Sequence, residues 1–412
     1  MKNNKIKTIC VGDVCTLITS GGTPKSTEKN YYENGNIPWL NTQEVNFNKI
    51  YETKKFITNL GFDNSAAKWI PSKSVIVAMY GATAGKVAIN MLPLTTNQAC
   101  CNLVINHKVT DYRYIFYYLM LNYTKLASLS NGGAQQNLNS QVIRDFPLLL
   151  PPLTTQRQIA KILSSLDDKI ELNNRINKNL EEQAMAIYKS WFVDFEPFGG
   201  KMPKDWEYIK LQQIADFISG YSYKGKELVK SKSAMATIKN FDRGGGFKMD
   251  GYKEITPSNK LKDEQFAKVF DILVAHTDLT QNADIIGNTE MIMSDLNYKK
   301  IIFSMDIVKV LPQKNIPHFV LASILKSENF KKHCLGYING TTVLHLSKKA
   351  LPDYELPFPK DIKKLSNIEN LLKKHYLQIA NNINENYKLN QIRDVLLPKL
   401  MNGEIDTSKI KI

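Results

Sequence analysis

Several stretches hold residue types that could do chemistry, and each can be judged on its spacing. Residues 81–86, Gly-Ala-Thr-Ala-Gly-Lys, follow the strand-like run 75–80 and invite a phosphate-loop reading. Such a loop sets four residues between its glycines and a Ser or Thr after the lysine to meet Mg²⁺. Here three residues separate Gly81 from Gly85, and Val87 follows Lys86, so the spacing fails. Pro352-Asp353 opens like a nuclease motif, but no Glu-x-Lys follows at a useful distance. No Asn-Pro-Pro-Tyr tetrad occurs, and no glycine-rich turn after a strand offers a methyl-donor site. His107, His276, His318, His333, His345 and His375 are scattered without metal-ligand spacing, and the five cysteines form no CxxC pair. The expectation is a chain with no catalytic residue and no metal.

Charge points elsewhere. Lys and Arg number 54 against 39 Asp and Glu, a formal balance of +15 with a pI near 9.3, which favours a polyanionic partner and nucleic acid first. Hydrophobic residues at 43% and charged residues at 23% suit a chain that folds throughout, and 412 residues suit two or three domains. The odd cysteine count fits a reducing cytoplasm. No run approaches the ~20 apolar residues of a membrane span, and no apolar stretch follows the basic start, so no membrane partner is expected.

The elements that must position any binding residues are written twice. Residues 131–151, NGGAQQNLNSQVIRDFPLLLP, align without a gap on residues 339–359, NGTTVLHLSKKALPDYELPFP. Residues 14–20, VCTLITS, resemble residues 214–220, IADFISG, while the segments between diverge. Each proline stop is followed by a long helical pattern. The first phases through Ile159, Leu163, Leu166, Ile170, Asn173, Asn177, Leu180, Ala184, Ile187 and Trp191. The second phases through Ile368, Leu372, His375, Ile379, Asn382, Asn386, Leu389, Arg393, Leu396 and Leu400. Steps of four and three make each a heptad seam with two asparagines near its middle.

An antiparallel coiled coil that brings the asparagines together fixes the register at Asn173 with Asn386 and Asn177 with Asn382. Leu180 then meets Ile379, Ile187 meets Leu372 and Trp191 meets Ile368. Leu166 opposite Arg393 is a poorer match, to be relieved by the long side chain reaching solvent. The fold class expected is α/β: two globular domains separated and followed by long helices in an antiparallel coil, an internal repeat of pseudo-two-fold character.

Residues 149–197, LLPPLTTQRQIAKILSSLDDKIELNNRINKNLEEQAMAIYKSWFVDFEP, resemble the central conserved region of type I restriction-modification specificity subunits. Residues 389–405, LNQIRDVLLPKLMNGEI, look like that family's distal conserved region, and residues 12–25 and 214–228 look like the openings of its target recognition domains. The resemblance implies target recognition domain 1 over residues 1–152 and a helical spacer over 153–197. It implies target recognition domain 2 over 198–359 and a distal helical region over 360–412. It further implies a non-catalytic subunit that reads a bipartite asymmetric site in double-stranded DNA. Two methyltransferase subunits would modify adenine there, and motor-nuclease subunits would restrict. S-adenosylmethionine, ATP and Mg would belong to those partners, with no cofactor on this chain. A stand-alone methyltransferase lacks its tetrad and donor loop here, and a pure coiled-coil scaffold leaves the basic balance unexplained.

Base readers are expected among polar and basic residues of the divergent loops, since Asn and Gln suit adenine and Arg or Lys suit guanine. In the first domain these are Thr23, Lys25, Tyr80, Thr83, Lys86, Gln135 and Gln136. In the second they are Tyr221, Tyr223, Lys224, Lys239, Asn240, Arg243, His276 and Thr341. The 81–86 loop reads first as a DNA-facing loop, with a plain strand-to-turn connection nearly level with it. The aromatic end of the first helix either anchors a methyltransferase subunit or caps the coil against a domain. With Trp191 in the seam, Phe192 and Phe195 are the partner-interface candidates.

Overall fold

The computed structural model describes residues 6–129, 137–280, 282–341 and 343–407. Residues 1–168 with 389–412 make one compact unit and residues 169–388 make a second. No helix among the described residues is long and apolar enough to cross a membrane.

In the first unit a five-stranded sheet runs in the order Cys15–Ser20, Cys100–Ile105, Val75–Ala78, Val87–Asn90, Asn48–Ile50. Its central strand is the apolar run Val75-Ile76-Val77-Ala78, all four residues buried, as a strand covered on both faces must be. A three-stranded sheet lies across Ile37–Leu40, which pairs antiparallel with Lys55–Ile57 and parallel with Thr95–Thr96. Lys7–Cys10 pairs antiparallel with Pro147–Leu150, closing the domain beside its proline stop.

The second unit repeats this plan. Its sheet order Ala215–Ser219, Ile307–Pro312, Ile272–Ala275, Thr289–Met291 matches the first four strands above, again with a fully buried central strand. Ser233–Ala236 takes the place of Ile37–Leu40, paired antiparallel with Lys253–Glu254 and parallel with Lys300–Phe303. Trp206–Lys210 pairs with Glu355–Pro359 as Lys7–Cys10 does with its partner. The aligned proline segments of the sequence are thus the same closing strand in each unit.

The strands that begin within residues 14–20 and 214–220 each run into a glycine, Gly21 and Gly220. A Cβ on Gly21 would fall 1.9 Å from the Thr96 carbonyl oxygen, and one on Gly220 would fall 2.1 Å from that of Ser304. Each glycine ends the same strand where a neighbouring backbone crosses too closely for a side chain.

The long helices span Leu153–Phe192 and Ser366–Met401. At the start of the first, Gln156 is fully buried, donates to the Pro151 carbonyl (2.8 Å) and accepts from the Thr110 hydroxyl (2.6 Å) and the Asp111 amide (3.1 Å). In the first unit Ile159 and Leu163 share one core with Leu397, Leu400 and Met401. In the second unit Ala184, Tyr188 and Phe192 share one core with Ile368, Leu372, Tyr376 and Ile379.

Within the second unit the asparagine layers of the two helices face each other. Asn173 donates to Asn386 at 2.8 Å and Asn382 donates to Asn177 at 2.7 Å, an antiparallel pairing. The buried stripe departs from the heptad toward the ends: Tyr188 and Phe192 are buried where Ile187 and Trp191 are only half-buried, and Tyr376 replaces His375. A 3.6-residue helix drifts about 20° per heptad, and here the drift turns the stripe onto the domain body. Arg393 does not reach for solvent. It pairs with Asp167 at 2.9 Å inside the first unit, and the other Asp167 oxygen accepts the Tyr117 hydroxyl.

Candidate nucleic-acid interface

In the second unit the chain leaves the strand Ser233–Ala236 through a tight turn, residues 238–240. Thr237 caps it by accepting from the Lys239 amide (3.2 Å), while Asn240 accepts from the Thr237 amide (2.8 Å). The Asn240 side chain also donates to the Lys248 carbonyl at 2.7 Å and is fully buried. Lys239, between the two capping residues, is pushed outward and exposed. The next turn is held by Asp242, whose carboxylate accepts from the Gly244 amide (2.8 Å) and whose amide donates to the Gly246 carbonyl (3.0 Å).

These turns wall a cleft of about 670 Å³ whose lining includes Lys239, Arg243 and Lys248 together with Asp242, Asp250 and Asp278. Arg243 is exposed, with Nε 3.8 Å from an Asp284 oxygen, and Lys248 stands 3.5 Å from Asp242. Burial pushes the Asp278 carboxyl up, but the Ile285 and Thr280 amides and the Thr280 hydroxyl outweigh it and hold it below the usual range. Asp278 is therefore an anchored acceptor for the Thr280 turn. Lys239, Arg243 and Lys248 bring positive charge to this lining, Arg243 and Lys248 each beside a carboxylate that a polyanion would have to displace.

The first unit builds the same turn after Ile37–Leu40. Asn41 caps residues 42–44, accepting from the Gln43 amide (3.4 Å), and Glu44 accepts from the Asn41 amide (3.2 Å). Gln43 occupies the exposed position that Lys239 holds in the second unit, beside a cleft of about 460 Å³ that Lys49 and Lys54 also line. Gln43 and Lys248 were missed in the sequence. The cap spacing Asn41-x-x-Glu44 beside Thr237-x-x-Asn240 would have found the first, and the basic glycine run Asp242–Lys248 the second.

Of the expected readers, Thr23 and Lys25 are exposed. Thr23 bonds to Gln98, and Lys25 lies 3.3 Å from Glu28. Tyr80, Thr83 and Lys86 share one hairpin between Val75–Ala78 and Val87–Asn90, with Lys86 donating to Asn46 at 2.8 Å. The 81–86 loop is thus a strand-to-strand connection, not the strand-to-helix turn of a phosphate site. Gln135 and Gln136 lie outside the described residues. In the second unit the cleft brings Lys239 and Arg243 together; Lys224 and Thr341 are exposed elsewhere. Tyr223 is half-buried with the Lys253 ammonium 6.0 Å from its ring. His276 is half-buried, and burial first, then His345 and Lys348, hold its imidazole below the usual range.

Three expectations need correction on burial, those for Tyr221, Asn240 and Phe192. Tyr221 is 2% exposed, and its hydroxyl bonds to Glu227 (3.0 Å) and Ser258 (2.9 Å), so it is core. Asn240 is the capping residue described above. Phe192 is buried, stacked on Tyr188 with centroids 6.0 Å apart and 5.3 Å from Trp206. Phe195 is half-buried, edge-on to Trp206 at 6.1 Å. Phe192 therefore caps the first helix against its own domain on Trp206, which the half-buried Phe195 also meets.

Comparison with known proteins agrees with this layout. Residues 3–182 match the family model described as the Type I restriction modification DNA specificity domain. The MjaIX specificity subunit of Methanocaldococcus jannaschii is 25% identical over 409 residues, 95% of this chain and 92% of that one. The HindI specificity subunit of Haemophilus influenzae is 26% identical over 348 residues, 69% of this chain and 74% of that one. The crystal structure of a type I S subunit from M. genitalium shares the fold, with a TM-score of 0.61 at 16% identity over 97% of each chain. Together these matches make the chain similar to type I restriction-modification specificity subunits over most of its length.

Proposed function

We propose that this chain reads a bipartite asymmetric DNA site, one part with each unit. It thereby directs methyltransferase subunits to adenines and motor-nuclease subunits to ATP-dependent restriction. The observation that carries the reading is one scaffold with unlike tips: the same capped turn after the same strand presents Gln43 in one unit and Lys239 in the other. Glutamine suits adenine, and lysine suits guanine or phosphate. The proposed DNA-contacting groups are Thr23, Lys25, Gln43, Tyr80, Thr83 and Lys86 in the first unit. Tyr223, Lys224, Lys239, Arg243, Lys248, His276 and Thr341 serve in the second, with Gln135 and Gln136 kept from the sequence alone. Two methyltransferase subunits, S-adenosylmethionine, ATP, Mg and a cytoplasmic setting follow from the family reading.

The test is to express the chain with its cognate methyltransferase and sequence the methylated bases of the host genome. A two-part motif should appear. Gln43→Ala should relax only one part, and Lys239→Ala with Arg243→Ala only the other. Methylation unchanged by deletion of the chain would end this assignment.

A further inference from the structure

Glu290 lies in the strand Thr289–Met291 at the back of the second unit's basic turn, and its side chain is 4% exposed. One carboxylate oxygen accepts from the Gly246 amide at 2.7 Å. The other meets the Lys326 ammonium at 2.7 Å, at the end of the helix His318–Leu325. Lys326 is 3.8 Å from a second carboxylate, Glu181 of the first long helix. A chain of three charges therefore runs from that helix to the turn that carries Arg243. The Asn288 side chain adds a contact at 3.4 Å to the Asp242 carbonyl, at the other end of the same turn.

Buried pairs of this kind add little net stability over apolar residues of similar size, so the fold alone gives no reason for one. The first unit makes the point directly: the strand at the same place in its sheet is Val87-Ala88-Ile89-Asn90, without a charge, and the sheet forms. What the charged version supplies is direction. A carboxylate that must satisfy both a buried ammonium and one amide can hold Gly246 in only one place.

We propose that Glu290 and Lys326 are positioning residues for DNA reading: they fix the Asp242–Gly246 turn and hence the height of Arg243 on the cleft, and Glu181 ties that setting to the first long helix. This rests on the reading of the cleft as a DNA surface given above. Reading a base edge requires a side chain held to a fraction of an ångström, and a glycine triplet cannot hold it alone.

The experiment compares full-length chains with cognate methyltransferase: the parent, E290Q/K326M, in which neither charge is left buried alone, and R243A. Backbone hydrogen exchange at residues 242–246 and the genomic methylation motif are both read. E290Q/K326M should speed exchange at the turn about ten-fold or more. It should also blur the part of the motif that R243A alters, with the other part intact. A protected turn and a sharp motif in E290Q/K326M, beside an altered motif in R243A, would overturn the positioning role while leaving the cleft reading in place. An R243A chain with the parental motif would remove the cleft reading itself and this proposal with it.

Discussion

The Asn173 side chain donates to the Asn386 carbonyl oxygen at 2.8 Å and to the Glu385 carboxylate at 2.7 Å, so one amide group bonds two residues of the facing helix. Asn386 passes the pattern on by donating to Asn174 at 2.8 Å. Asn173→Leu alone removes the donor from a buried carbonyl and should destabilise the chain by about 1–2 kcal/mol. Asn173→Leu with Asn386→Leu exchanges both polar groups for apolar ones and should recover that loss or exceed it, with register selectivity sacrificed. Urea denaturation of the two singles and the double gives the cycle. A double variant weaker than either single would contradict the account.

Arg393 and Asp167 form a second polar layer, in the first unit, with side chains 20% and 15% exposed. Asp167→Ala leaves the guanidinium with Asp394 at the rim and the Tyr117 hydroxyl without its acceptor. The expected loss is about 2 kcal/mol, discounted for partial exposure. Asp167→Ala with Arg393→Met should lose less than Asp167→Ala alone, measured by thermal denaturation under one salt condition.

Two histidines make stability fall on acidification. Burial holds both His276 and His375 below the ordinary imidazole value of about 6.5, and the His375 Nδ1 atom is buried without a hydrogen bond. A group with a depressed folded pKa binds more protons when unfolded, so stability rises with pH through this window. Their contribution is complete above about pH 6.5 and is lost as pH falls below it toward the folded values. His375→Leu should raise stability by about 1 kcal/mol at neutral pH and flatten the pH dependence between 7 and 5.5. Denaturant titrations at the two pH values, parent against variant, test both parts.

How far the sequence carried differs between framework and site, for physical reasons. The repeat, the closing strands beside the prolines and the asparagine layers were legible because each depends on spacing along one segment. The helix ends were not: which of Trp191 and Phe192 is buried depends on Trp206, which is remote in any heptad count. Tyr221 and Asn240 read as surface groups in the sequence because their partners, Ser258 and the Lys248 carbonyl, come from parts of the chain that no local pattern announces. Gln43 was overlooked for the converse reason. Nothing about a lone glutamine marks it until the capped turn around it is matched with the one around Lys239.

The glycine pair gives the most direct check on the repeated architecture. Gly21→Ala would press a methyl group to 1.9 Å from the Thr96 carbonyl oxygen, and Gly220→Ala to 2.1 Å from that of Ser304. Those oxygens belong to backbone that is itself tied down: the Gly22 amide donates to Thr96 at 2.9 Å, and Ser304 donates its amide to Ala236 at 2.9 Å. Neither contact can be relieved by turning a side chain, so each substitution should cost about 3 kcal/mol or more. Each variant should also weaken its own unit first. Limited proteolysis should therefore cut Gly21→Ala within residues 6–129 and Gly220→Ala within residues 205–360 at denaturant concentrations where the parent resists. Equal cutting in both regions by either variant would mean that the glycines do not serve two separately built copies of the same corner.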